Sequence, residues 1–283
     1  MLKRYLFVAV VVLFCARHAA AEWPSENAVI TRGFGFNDRG RPSLGVFFES
    51  RDHVPAVREG EVVFSRSQRE TASRLPSAFG AWTAVDHGDG LLSIYSRYSD
   101  EPGNPRPLFV GQGDPVARPG VSGWSSRNGF YFILYDRKER RWVNPSMVIA
   151  LPAARLPLIQ GIQLRNAQGG VVESGQFRNL SQGRYTVTVT AVHPPPGQFA
   201  PHRIICLVNG VETGTLLLET ISARDGVLLV NRDGLVPASR VYAPYPAFEA
   251  GEFFLSRGQA ILEIIIQDIA GNSRSTVTRI QVE

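Results

Sequence analysis

The 283-residue chain holds only two cysteines and carries charge at only 19% of its positions. It has two lysines, Lys3 and Lys138, so arginine supplies nearly all of the basic charge. No stretch reaches the ~18–20 apolar residues that a membrane-spanning helix needs, which excludes a polytopic membrane protein. No Gly-x-Ser-x-Gly elbow, phosphate-cradling glycine loop or Cys-x-x-Cys pair occurs, so the short signatures of several enzyme classes are missing. Gly33-Phe34-Gly35-Phe36 lacks the following helix that a nucleotide site requires and reads as a strand or bend. The formal charge of +5 would suit nucleic acid, but its distribution does not. Without Lys3, Arg4 and Arg17, which lie in a leader, the 30 basic residues fall to 27 against 25 acidic ones. That balance is no electrostatic footprint for nucleic acid.

The leader is legible. Lys3 and Arg4 precede the apolar run Tyr5–Ala16, and Ala19-Ala20-Ala21 offers a small-x-small cleavage site before Glu22. This pattern predicts a secretory signal peptide over residues 1–21 and an exported, periplasmic or extracellular protein. Bulky Phe14 argues against lipid modification of Cys15. Cleavage would leave Cys206 alone in the run Ile204–Val208. A single thiol makes no intrachain disulfide, so the fold must rest on its core, with Cys206 a buried strand residue.

With 44% hydrophobic residues, 27 glycines and 19 prolines in no collagen-like period, the mature chain reads as all-β and turn-rich. Strands are expected at Leu44–Glu49, Gly60–Ser65, Trp82–Asp86, Leu91–Arg97 and Phe130–Tyr135. Asp89-Gly90 predicts a two-residue hairpin turn with positive φ. Surface loops are expected at Gln68–Gly80 and Asp100–Pro107, and Arg137–Arg141 reads as a basic hairpin tip. A proline-bearing joint near Leu151–Pro157 predicts a boundary, giving units 22–155 and 156–283. In the second unit Tyr185–Val192 alternates with period two, while Ala260–Gln267 is almost continuously apolar. Six or seven such strands in about 125 residues predict an immunoglobulin-like β-sandwich.

The first unit resembles a known family through five ordered motifs. They are Val54–Val63, Val85–Gly90 continuing through Ile94-Tyr95, Gly113-Asp114-Pro115-Val116, Gly120–Ser125, and Val143-Asn144-Pro145. Together they are similar to the turns of the lysostaphin-type zinc endopeptidases, which cut peptidoglycan cross-bridges or stem peptides. The resemblance implies a duplicated-hybrid-motif peptidase-like β domain. It also implies a zinc held by the outer residues of a His-x-x-x-Asp motif and the last His of a His-x-His motif, with further histidines assisting. In this chain Ser43 and Phe47 stand at the first motif, Gly129 and Tyr131 at the second, and Arg97 where Tyr95-Ser96-Arg97 aligns with Tyr-x-His.

A catalytic zinc takes about three Cys, His, Asp or Glu ligands and leaves one position open. Phenylalanine and glycine side chains offer no lone pair, and arginine is a permanent cation. The expectation is therefore a pseudoenzyme with no catalytic residue, metal or cofactor. His53 beside Asp52 and Glu49, His87 in the hairpin, and His193 and His202 around a proline loop do not rebuild a site by their spacing; the last two are expected to be exposed, and His87 to hold backbone.

The old groove would present Ser43, Phe47, Tyr95, Arg97, Trp124 and Tyr131. Tyr95, Arg97, Trp124 and Tyr131 are the candidates for binding glycan or peptide, with Arg97 on a carboxylate; the alternative is that Phe47 and Tyr131 merely fill the space. Inactive members of the resembling family regulate cell-wall amidases, so expected partners are peptidoglycan, a cell-wall hydrolase or another envelope protein. Two rivals remain: an active metalloendopeptidase with an unrecognised metal site, and a purely structural envelope protein.

Overall fold

The computed structural model describes residues 28–67, 77–101, 107–151, 156–194, 197–244 and 246–283. The expected leader, most of the 68–80 loop, Pro102 and Pro105, and positions 152–155 of the joint lie outside the described residues.

The described chain is all-β, with two short 3-10 turns at Pro145–Met147 and Ala238–Arg240 and no α-helix among the described residues. Its first half carries β1 (Val29–Arg32), β2 (Asn37–Asp38), β3 (Arg41–Pro42), β4 (Val46–Glu49), β5 (Val54–Pro55) and β6 (Gly60–Arg66). There follow β7 (Ala81–Asp86), β8 (Leu91–Tyr98), β9 (Phe109–Val110), β10 (Pro115–Ala117), β11 (Gly129–Asp136) and β12 (Arg141–Val143). The second half carries β13 (Leu158–Asn166), β14 (Val171–Glu173), β15 (Gly183–Val192), β16 (Arg203–Val208), β17 (Val211–Arg224) and β18 (Val227–Arg232). It ends with β19 (Leu235–Pro237), β20 (Ala247–Leu255), β21 (Gly258–Gln267) and β22 (Ser273–Val282).

Two facing layers build the second half. One is the antiparallel sheet β14-β13-β15-β20, and the other runs β22-β21-β16-β17. Ile162, Leu164, Val187 and Phe253 of the first layer share a core with Ile204, Cys206, Leu262 and Ile264 of the second. Period-two alternation explains this: every second residue of β15 is buried around its apolar positions, as a half-buried strand requires. Gly214 and Gly251 let β17 and β20 approach closely, since a Cβ on either would press on the other's backbone. Cys206 is buried, and burial pushes its thiol up to about 12, so it packs as a small apolar residue.

The first half is ordered β4-β11-β8-β7-β6 by hydrogen bonding, with β12 on the free end of β11. Strand β12 also pairs with β17, through Trp142↔Ile221 and its neighbours, so one continuous sheet runs through both halves. One core cluster likewise spans Phe48, Phe132, Leu218 and Ile264. Polar contacts reinforce the joint. The Asn37 amide donates to the carbonyls of Ala243 (2.7 Å) and Ala247 (3.1 Å), and the Tyr242 hydroxyl donates to Gly35 O (2.8 Å).

The β7–β8 connection differs from a two-residue turn. It takes four residues, His87–Gly90, with positive φ at Gly88 (80°) and Gly90 (98°) rather than at Asp89. Asp86 and Asp89 each accept a backbone N–H two residues on, and side chains cap the loop where a tighter turn would have used backbone alone. His87 ties the loop down: Nδ1 lies 2.7 Å from Glu59 O and Nε2 3.0 Å from Ser93 Oγ. The basic segment forms the β11–β12 hairpin loop, where the Asp136 carboxylate accepts from Lys138 N and Glu139 N.

Candidate functional site

Strands β4, β11 and β8 place Phe47 opposite Tyr131 and Tyr131 opposite Ser96. Because alternate residues point to opposite faces, the patch separates two sets of side chains. Phe48, Phe130, Phe132 and Tyr95 go into the main core, whereas Phe47, Tyr131 and Ile133 form a smaller cluster with Ile94 and Trp142.

Tyr95 therefore does not belong to the groove. It is fully buried, its ring 5.3 Å from that of Phe132, and its hydroxyl accepts from Val57 N at 2.8 Å. Burial pushes that phenol up to about 12, so it stays neutral. Tyr95 and Arg97 sit two apart and ought to share a face, but Arg97 adopts φ 63° and falls within a bulge where Ala81 pairs with Tyr98 and Trp82 with Ser96. A bulge inserts one extra residue and re-aims the side chain. Arg97 is thereby turned to the opposite face, its Cζ 4.8 Å from the centre of the Tyr131 ring. Its own N–H donates to Phe79 O at 2.8 Å, which anchors the bulge.

Ser43 is held by backbone on both sides: its N–H donates to Phe36 O (2.9 Å) and its carbonyl accepts from Gly35 N (2.8 Å). The glycine is required there, at φ 68° and against Leu218. Ser43 Oγ donates to Gly45 O and meets the Tyr131 hydroxyl, both at 3.0 Å. Burial raises the Tyr131 pKa, while the Ser43 contact and Arg97 oppose the rise. Burial lowers that of Arg97, Tyr131 supports its charge and Arg32 opposes it.

Phe47, Arg97 and Trp124 line a cavity of about 170 Å3, together with Arg32, Arg127 and Gln198. Trp124 stands on its rim, 77% exposed. Ser43 and Tyr131 lie beneath, both buried. Of the groove residues read from the sequence, Arg97, Trp124 and Phe47 thus meet at one opening, Tyr131 and Ser43 support it, and Tyr95 is elsewhere. Arg32, Arg127 and Gln198 carry no local signal; Gln198 arrives from the second half through Gly33 N donating to its carbonyl and its N–H donating to Thr31 O.

The residues present do not fit a zinc ion. Ser43 Oγ is engaged by Tyr131 and Gly45, Phe47 offers no donor, and a guanidinium lies on the Tyr131 ring. Gly129 cannot be replaced by a ligand without moving backbone, because a Cβ there would collide with the Phe48 carbonyl. Among the described residues no three His, Cys, Asp or Glu side chains gather as a metal site. His53 and Asp52 border a separate hollow with Arg51 and Arg118. His193 and His202 are half-buried rather than exposed, on a cavity at the junction of the halves with Phe199 and Asp268. The Phe199 ring centre lies 5.2 Å from that of His193, and burial pulls the His193 pKa down to about 4.

A protein-family model matches residues 156–283. No curated protein matches the chain. Among solved structures, the chain is similar to a mutant catalytic domain of the prophage-encoded M23 protein EnpA from Enterococcus faecalis. That match has 21% identity over 45% of this chain and 96% of that one, with a TM-score of 0.36. It is also similar to a chain of the SpoIIQ–SpoIIIAH pore-forming complex (20% identity, 44% and 85% covered, TM-score 0.34). Lysostaphin from Staphylococcus simulans matches at 13% identity over 89% of this chain and 95% of its own, with a TM-score of 0.35. No helix among the described residues is long and apolar enough to cross a membrane.

Proposed function

We propose that the protein is an exported, non-catalytic envelope protein whose first half keeps a lysostaphin-type peptidase β-fold and binds peptidoglycan or a cell-wall hydrolase. The second half, on this reading, is an immunoglobulin-like sandwich that fixes the first in place. One observation carries the proposal: among the residues that the resemblance sets at the metal site, the Arg97 cation lies on the Tyr131 ring and Ser43 meets the Tyr131 hydroxyl. A fixed guanidinium repels a divalent cation and has no lone pair with which to hold one, yet with an exposed indole it suits recognition of anionic, partly apolar ligands. The β12–β17 pairing supports a scaffolding role, since it couples the groove half to the sandwich through hydrogen-bonded backbone.

Co-sedimentation of the full chain with purified sacculi, and capture of cell-wall hydrolases from envelope extract, tests the reading. Retention on one of them without release of soluble peptide is the expected result. Failure of both, or chelator-sensitive release of peptide, contradicts it.

A further inference from the structure

We infer that the cavity over Arg97 is a receptor for one carboxylate, the free C-terminus of a short peptide whose last side chain rests on Trp124. This rests on the proposed binding role, because a peptidoglycan-binding protein meets stem peptides with free C-termini.

Charge sets this cavity apart. Three arginines line the cavity and no carboxylate residue does. Arg32 is answered by Asp38 at 3.0 Å and Arg127 by Glu49 at 2.6 Å. Arg97 has no ion pair among the described residues; its Nε is buried without a hydrogen-bond partner, and Arg32 adds like charge nearby. A partly buried cation left unanswered costs free energy that an incoming anion recovers. One uncompensated positive charge matches a monoanion. A phosphate dianion is better served by several free cations or a nest of backbone N–H groups.

Geometry narrows the ligand further. The bulge fixes the Arg97 backbone, and Tyr131, itself held by Ser43, gives the guanidinium a platform. A fork fixed in this way loses little freedom when it takes a planar carboxylate. The space of about 170 Å3 equals roughly five or six waters at ~30 Å3 each, enough for a terminal carboxylate and a small side chain. Trp124 supplies the apolar wall, and Gln198 and Ser125 a polar rim.

Calorimetric titration of the full chain with N-acetyl-dialanine, its C-terminal amide and inorganic phosphate tests the assignment. The acid should bind one to one and the amide at least about 10-fold more weakly, as expected for loss of a charge-assisted hydrogen-bonded pair. Arg97→Asn should remove the discrimination; asparagine tolerates the left-handed backbone at this position, so the fold is spared. Arg97→Lys should retain part of it, and Trp124→Ala, at an exposed site, should weaken the acid several-fold. Equal binding of acid and amide, or acid binding unchanged in Arg97→Asn, overturns the inference, and so does phosphate competing as well as the acid. If wild type and Arg97→Asn still sediment equally with sacculi while acid and amide do not differ, this inference falls and the binding role stands. If the acid binds but neither sacculi nor hydrolases are retained, the binding role falls and the carboxylate site stands.

Discussion

The two faces of the β4-β11-β8 patch are built from neighbouring residues of the same strands, yet they are different materials. On one face Phe48 and Phe130 stack at 5.1 Å and Phe132 meets Tyr95, all fully buried. On the other, Phe47 and Tyr131 are nearly as buried but support a serine–tyrosine contact, a bulged arginine and an open cavity. The first face accounts for itself by packing. The second carries a left-handed arginine and an unanswered charge, which packing alone would not select.

Truncation separates the faces most strongly. Phe132→Ala should cost about 3–5 kcal/mol in denaturant unfolding, as for a fully buried aromatic. Phe47→Ala should cost about half as much, because its ring borders a cavity that water can enter. Equal costs would erase the distinction. Acid tests the junction next. Burial depresses the folded-state pKa of His193 from an ordinary 6.5 to about 4, so the folded protein favours the neutral ring. Stability should fall as the pH drops from 6.5 through 4, by at most on the order of 3 kcal/mol from this group. His193→Asn should flatten that part of the profile, and an unchanged slope would show that the ring is not shielded.

Smaller effects sharpen the groove side. Gly129→Ala should cost about 1–3 kcal/mol by prising β11 from β4, and Gly129→His should destabilise without gaining zinc affinity by calorimetry. Ser43→Ala should cost about 1 kcal/mol and loosen the Tyr131 ring, seen as faster ring flipping by NMR. Arg97→Asn should change stability by less than about 1 kcal/mol, since the lost contact with Tyr131 is offset by relief of desolvation. A larger loss would make Arg97 a structural residue.

Local pattern made the strands and the buried Cys206 legible. Alternation in Tyr185–Val192 and the glycines after Asp86 need only neighbouring residues to be read. The residue types at Ser43, Phe47, Gly129 and Tyr131 are equally plain in the sequence, and none of them is Cys, His, Asp or Glu. The face of Tyr95 was not, because it depends on the extra residue at Arg97, and nothing in Tyr-Ser-Arg marks a bulge. The pairing of Trp142 with Ile221 was also hidden; a contact between residues so far apart is set by how the halves pack. His193 and His202 looked exposed because a proline loop usually is, whereas here the Phe199 ring lies beside the first of them.

Metal content is the decisive measurement. Full chain purified with zinc in the medium, then analysed by mass spectrometry for metal per polypeptide, should hold far less than one equivalent, and added chelator should leave sacculus binding unaltered. One tightly held zinc per chain, together with peptide-bond cleavage that chelator abolishes, would contradict the account.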